Sequence, residues 1–311
     1  MFDVIIVGGG PAGMAAALTL GRVHRTVLLL DAGRGRNHPV EAVHNFITRD
    51  GTPPHELRRI GREELRAYPS VDVRESATTD IRATSGGFEV TTAEGDLVSS
   101  RRLLLATGLA DELPDIPGLA ELWGRWGFHC PYCHGFECTG KTVAVLGSSP
   151  PRVRLALQLS RFAKEVVLCT DGGAVAEDLR NALERNGIAA RCEPVTRLDG
   201  EGGALDRILF DSGPPLACDA VFVENLPRQH SDPAARLGCA FLADGCVEID
   251  EFGRTSVPGV YAAGDMAHRA TLPMPLAAVI AAAAAGTVAA AAADQDLLSE
   301  DFALPNPLAR G

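Results

Sequence analysis

The sequence predicts an α/β protein built from two Rossmann-like, three-layer domains, the first discontinuous and the second inserted into it. Three observations carry this. A strand, a glycine turn, a helix and a second strand follow one another over residues 3–31, and the same plan recurs over residues 142–170. A strand ending in Gly264-Asp265 then reads as the return to the first domain. The boundaries expected are 1–113 and 246–311 for the two parts of the first domain and 114–245 for the insert, and 311 residues suit two domains.

Residues 3–7 are a short continuous apolar run, as a strand buried on both faces requires. Gly8, Gly10 and Gly13 follow, with Pro11 and Ala12 among them, then a helical run at 14–20 and a strand at 26–30 that ends on Asp31. Glycines at these places allow a tight turn, close approach of a pyrophosphate and tight packing of helix on strand. The diphosphate would rest on amides at the helix start, and Asp31 can accept hydrogen bonds from a ribose. In this order the features predict a dinucleotide-binding unit.

Residues 71–75 and 88–92, with turn signals at Gly86-Gly87 and Glu94-Gly95, read as a β-meander. Residues 103–105 are a buried strand leading into Ala106-Thr107-Gly108, and Pro114 and Pro117-Gly118 mark the crossover. The insert is expected as strand 142–146, turn 147–151, helix 152–162 and strand 165–170. Residues 276–293 carry no charge but are mostly alanine, so a buried helix packed closely on a sheet is expected rather than a membrane span. The tail after Asp294, with Pro305 and Pro307, reads as a surface arm.

A net charge of −11 argues against nucleic acid or an anionic membrane as partner. Eight cysteines are too sparse for a secreted disulfide scaffold, and Cys138, Cys169, Cys192, Cys218, Cys239 and Cys246 read mostly as small buried apolar residues. The chain starts directly on a strand, which gives a cytoplasmic expectation.

The reactive feature is His129-Cys130-Pro131-Tyr132-Cys133-His134-Gly135. Two cysteines at this spacing can close a small disulfide. Pro131 suits a first helical position, and a thiolate is stabilised at a helix start. His134 titrates near neutrality and can move protons for the pair. His129 is open between a proton carrier and a packed histidine. The spacing also occurs in zinc sites, but no second spaced pair lies nearby, so no metal is expected.

Ala106-Thr107-Gly108 and Gly264-Asp265, taken with the N-terminal glycines, resemble the FAD-binding signatures of two-dinucleotide-domain flavoproteins. With the cysteine pair in the second domain, the order resembles low-molecular-weight thioredoxin reductases over nearly the whole chain. The resemblance implies an FAD domain in two parts, contacts from Asn37 and Asn45, and Asp265 beside the ribitol. The helix after Asp265 would aim its positive end at the flavin. It also implies Cys133 as the flavin-facing thiol, Cys130 as the interchange thiol, and a homodimer.

Three departures matter. His134 stands where thioredoxin reductases carry an aspartate. In the turn Gly147-Ser148-Ser149-Pro150-Pro151-Arg152, the second and third glycines have become Ser149 and Arg152, and two prolines delete amide donors. Thr170-Asp171-Gly172-Gly173 replaces the His-Arg-Arg run that takes the 2′-phosphate of NADPH; Asp171 would repel that phosphate, although an acid there also suits NADH. The insert is therefore expected to be degenerate as a nucleotide site. Cys130 to Glu137 resembles the dithiol oxidases that form disulfides in gliotoxin-, holomycin- and romidepsin-type natural products, and Ala277-Ala278 replaces a flavin-contacting Arg-Gln pair. The function implied is oxidation of a small-molecule dithiol through Cys130 and Cys133, with dioxygen as acceptor and hydrogen peroxide as product. The alternatives are a reductase fed by NADH, NADPH or another donor, and a flavin-bound redox sensor without turnover.

Overall fold

The computed structural model describes residues 1–308. The chain folds as two compact units: Met1–His38, Pro54–Ala110 and Pro227–Gly311 form the first, and Pro39–Pro53 with Asp111–Leu226 form the second. The chain re-enters the first unit at Pro227, ahead of the return expected at 246, and residues 39–53 group with the insert.

In the first unit the elements run β1 (Phe2–Val7), α1 (Pro11–Arg22), β2 (Val27–Leu30), α2 (Pro54–Leu65), β3 (Val71–Arg74), β4 (Thr78–Thr84), β5 (Gly87–Thr92) and β6 (Leu97–Leu105). Strands β3, β2, β1 and β6 lie side by side and parallel, and Val260–Ala262 joins β6. Alternation explains why β1 is apolar throughout. Val4 and Ile6 enter the core shared with α1, while Ile5 and Val7 enter the core on the opposite face with Ile81 and Phe88. Each such burial contributes roughly 1.5–3 kcal/mol.

One expectation is corrected here. Residues 71–75 were expected in the meander, but β3 pairs parallel to β2, and the meander is β4–β5–β6. The reason is that β4, Thr-Thr-Asp-Ile-Arg-Ala-Thr, buries only Ile81 and carries almost no apolar pattern to read.

The alanine-rich segment is one helix, Val279–Phe302, which packs on α1. Small residues set the spacing: a Cβ on Gly286 would lie 2.0 Å from the Ala12 carbonyl oxygen. No helix among the described residues is long and apolar enough to cross a membrane. The surface arm expected after Asp294 is also corrected, because the helix continues to Phe302 with Leu297 fully buried. Arg25 fastens its far end through Asp294 and Asp301, both at 2.7 Å, and Arg254 holds Asp296 at 2.7 Å.

The second unit repeats the plan. Ala189–Arg191, Glu165–Cys169, Thr142–Leu146, Ala220–Phe222 and Gly127–Phe128 form a parallel sheet in that order. Helices Pro150–Leu159 and Glu177–Arg185 connect its strands, and Val195–Asp199, Arg207–Phe210 and Leu216–Ala217 make an antiparallel meander. The fold is thus the two-Rossmann-domain α/β architecture. The scattered cysteines are buried except Cys192, and burial pushes the Cys138, Cys169, Cys218 and Cys246 thiols up to about 12.

Candidate active site

The first glycine turn is shaped by backbone approach. Gly8 holds φ +111, and a Cβ there would sit 2.2 Å from the Ala106 oxygen, where the ends of β1 and β6 meet. A Cβ on Gly13 would sit 1.8 Å from the Gly8 oxygen, so α1 can lie on the turn only without it. Gly10 differs: nothing lies within 4 Å of its missing Cβ. Pro11 opens the twelve-residue α1, followed by Ala12 and Gly13, whose first-turn amides have no intrahelical acceptor. Open space in front of unpartnered amides fits the diphosphate of FAD.

Asp31 ends β2, buried, and accepts the Gly33 N–H at 2.9 Å. Its other oxygen accepts from Arg62, which also bonds Glu75. Sequence reasoning missed Arg62, because its neighbours on α2 do form an exposed face: Arg59 pairs with Glu56 at 2.8 Å and Glu63 at 2.7 Å. Gly9 was also missed, and a Cβ there would fall 2.4 Å from the Asp31 carboxyl carbon. A carboxylate has about four lone-pair positions, so capacity for a ribose remains. A cavity of about 210 Å³ lies beside Asp31, between Gly33, Ser76 and Glu94.

The other expected cofactor residues, Asn45 apart, lie in the first unit. Ala106 donates its N–H to Val7 at 2.8 Å, Thr107 turns its hydroxyl to the Met266 sulfur, and Gly108 takes φ +70. Gly264 sits with its missing Cβ 3.1 Å from Ala12, and Asp265 is held by Arg36 at 3.0 Å. Asn37 is half-buried in this unit. Asn45 alone among them belongs to the second unit, exposed at φ 60. FAD is the cofactor of this framework, and Gly8 to Gly13, Asp31 and the two later turns are the residues that would hold it.

In the second unit, Cys130 caps a four-residue helix, Pro131–His134, and Cys133 lies within it. The Cys130 carbonyl accepts the Cys133 N–H at 3.3 Å and the His134 N–H at 3.2 Å, which fixes the spacing of the pair. Both cysteines are half-buried, whereas Tyr132 and Phe136 beside them are 72% and 83% exposed. His129 stacks on Trp123 with ring centres 5.5 Å apart, so a packing role is present in addition to any chemistry. His134 stacks face to face on Phe128 at 4.6 Å. Burial holds its pKa down at about 4 despite the opposing pull of Glu137, so the ring is neutral at ordinary pH.

The second glycine turn is occupied. Gly147 keeps the open φ of +108, but Arg152 folds back until its Cγ is 3.0 Å from the Cβ position of that glycine. Its guanidinium donates to the Val223 carbonyl at 3.0 Å, and burial lowers its pKa. Ser149 precedes the helix, and Pro150 and Pro151 take its first two positions, where amides would otherwise point outward. Asp171, at φ 52, accepts the Val195 N–H at 2.6 Å through one carboxylate oxygen.

The model of the pyridine nucleotide-disulphide oxidoreductase family matches residues 2–295. Thioredoxin reductase aclD of Aspergillus oryzae is 34% identical over 278 residues, 85% of this chain and 88% of that protein. The putative thioredoxin reductase TrxB of Bacillus anthracis superimposes with a TM-score of 0.89 at 32% identity, covering 97% of this chain and all of that one. The crystal structure of HlmI gives a TM-score of 0.88 at 37% identity, over 97% and 94% of the two chains.

Proposed function

The chain belongs to the pyridine nucleotide-disulphide oxidoreductase family as a thioredoxin-reductase-like flavoenzyme of thiol–disulfide chemistry, and from that premise we propose that it is a dithiol oxidase. It would close a disulfide in a small-molecule, natural-product dithiol and pass the electrons to dioxygen. The observation that carries this reading is the asymmetry of the two glycine turns: Gly10 and Gly13 leave one open, while in the other Ser149 and Arg152 stand in their places and Pro151 removes an amide that Ala12 keeps. A second nucleotide has no comparable seat, while the dithiol motif is complete.

The chemistry needs little beyond the chain's own side chains. His134, neutral and close to the pair, takes the proton of a substrate thiol. The substrate thiolate attacks the Cys130 sulfur of the Cys130–Cys133 disulfide, a new S–S bond forms, and Cys133 leaves as thiolate. The second substrate thiol then attacks the substrate sulfur of the mixed disulfide and expels Cys130. Substrate leaves oxidised by two electrons, and the enzyme pair is left reduced. Bound FAD supplies the two-electron sink that returns the pair to the disulfide. The net reaction is dithiol plus dioxygen to disulfide plus hydrogen peroxide. The homodimer and cytoplasmic setting are part of the same reading.

The test is anaerobic mixing. A vicinal dithiol should bleach the flavin, admission of air should restore it with one peroxide per disulfide, and NADH or NADPH should bleach it far more slowly. The thioredoxin reductase names of the relatives support a second reading, a reductase fed by a nicotinamide. Rapid bleaching by NADH or NADPH with none by dithiols would establish it. Bleaching by neither, with Cys130-dependent capture of a protein partner, would point to a sensor.

A further inference from the structure

The dithiol chemistry assigns nothing to Glu137, His44 or Asp50, yet a whole loop is folded around them. Pro39–Pro53 belongs to the second unit and is closed by Val43 and Thr52, the Val43 N–H donating to the Thr52 carbonyl at 2.8 Å. Asn45 and Thr48 take φ 60 and 73 without being glycine, a conformation kept where surrounding contacts demand it. Asp50 is the fastener. One of its oxygens accepts the Asn45 N–H at 2.7 Å, and the other faces His44 Nδ1 at 3.5 Å. The far nitrogen of the same ring, Nε2, lies 3.3 Å from Glu137 Oε1.

Glu137 follows His134 by three residues, on the short turn Phe136–Cys138 that continues the dithiol helix. Its second oxygen, Oε2, is buried without a hydrogen-bond partner among the described residues, and so is Nε2 of His134. The His44 and His134 rings meet edge to face with centres 6.2 Å apart. The titratable groups acting on His134 are Glu137, His44 and His129, and of these only Glu137 favours the charged ring. Lys141 and Asp219 are the further charges around the buried Cys138 on the same turn.

We propose that Glu137 is a positioning residue for His134: its carboxylate, held in place by His44 and Asp50, stabilises the imidazolium formed when His134 takes a thiol proton, and so favours thiolate on the cysteine pair. A neutral ring in an apolar stack is a weak base on its own, and a fixed carboxylate beside it supplies the missing counter-charge. His44 keeps that carboxylate from turning out to water, and Asp50 keeps His44 oriented, as outer partners commonly do for a working imidazole. The inference rests on the reading of His134 as the proton acceptor.

A sign test separates this role from a direct one. Removing a carboxylate near thiols would by itself ease thiolate formation, since a like charge disappears. Acting through His134, the same removal makes the thiolate harder to form. The experiment follows alkylation of Cys130 by iodoacetamide against pH, in holoenzyme reduced anaerobically with dithionite and freed of excess reductant. In Glu137→Gln the midpoint should rise by about one pH unit. Both His44 variants remove the ring that opposes a charged His134, so they are compared with each other: the midpoint should be higher in His44→Ala than in His44→Gln, which keeps an N–H for Oε1.

In a His134→Gln background, Glu137→Gln should lower the midpoint or leave it alone. A midpoint that stays or falls in Glu137→Gln with His134 present, or still rises without His134, overturns the proposal. Retained flavin absorbance shows that each variant is folded, and if Glu137→Gln loses FAD the two His44 variants decide the matter. No substrate or oxygen enters the assay. A dithiol that fails to bleach the flavin therefore defeats the functional reading alone.

Discussion

At the first glycine turn Gly10 and Gly13 carry no side chain and a Cβ added to Gly10 would meet nothing within 4 Å, whereas at the second their places are taken by Ser149 and Arg152, and the Arg152 side chain folds over Gly147. Both turns join a buried parallel strand to a helix, and both keep a first glycine at high positive φ, +111 in one and +108 in the other. The backbone plan is therefore shared. Volume and donor count differ. Arg152 brings a positive charge, which an anionic phosphate would welcome, so electrostatics alone would not close the second turn. Filled space and one further missing amide, at Pro151 against Ala12, do. A Rossmann-like topology thus reports ancestry of the backbone, and the side chains that point into the turn report what can dock there.

The largest effect that can break this comparison is expected at Gly8. Gly8→Ala faces both a forbidden φ and the Ala106 oxygen at 2.2 Å, so it should cost about 2–4 kcal/mol of stability and yield protein without FAD. Urea unfolding with absorbance spectra checks both. Gly10→Ala separates ligand from fold. Its φ of −76 suits alanine and no protein atom is in the way, so apo stability should hold while FAD binds about a hundredfold more weakly, roughly 2.7 kcal/mol. Unchanged affinity would mean that the open space is not the phosphate seat.

In the second unit no expected effect exceeds that at Gly8. His134 has an ordinary pKa of 6.5 and is held at about 4 by burial, so between those values the unfolded chain binds a proton that the folded chain does not. Stability should be full above about pH 6.5 and fall toward pH 4, by about 3 kcal/mol. His134→Phe, which keeps the stack on Phe128, should flatten that fall in thermal melts across the range. Arg152→Ala is expected to change stability by about 1 kcal/mol or less, since a desolvated cation leaves together with its bond to the Val223 carbonyl. Bleaching by NADH or NADPH should stay slow in this variant, because Ser149 still replaces the second glycine and Pro151 still lacks an amide. Fast bleaching would show that volume alone had closed the turn, and would sharpen the contrast to a single side chain.

Much of the site was legible because its residues act on their own stretch of backbone. Gly8 and Gly13 are required by turns within a few residues, Pro131 opens the helix that spaces Cys130 and Cys133, and Asp31 ends the strand that begins a few residues earlier. Arg62 was missed for the opposite reason. On α2 it is one arginine in a charged run, and only the packing of that helix turns it toward Asp31 while Arg59 faces water. The tail after Asp294 failed in the same way: Pro305 and Pro307 suggested an arm, and Arg25 and Arg254 recruit its acids from distant points of the chain.

By itself the sequence determined the buried parallel strands, the two glycine turns and the dithiol helix, because glycine, proline and apolar periodicity act through local sterics and short-range burial, while the kind of cofactor came from resemblance to flavoproteins. Only the tertiary structure decided that Arg152 folds into its own turn, that one Asp171 oxygen meets the Val195 amide, and that His44 reaches Glu137 beside His134. A charged or polar side chain has many possible partners of similar chemistry. Which one it meets depends on the few ångströms and the loss of solvent that packing alone supplies.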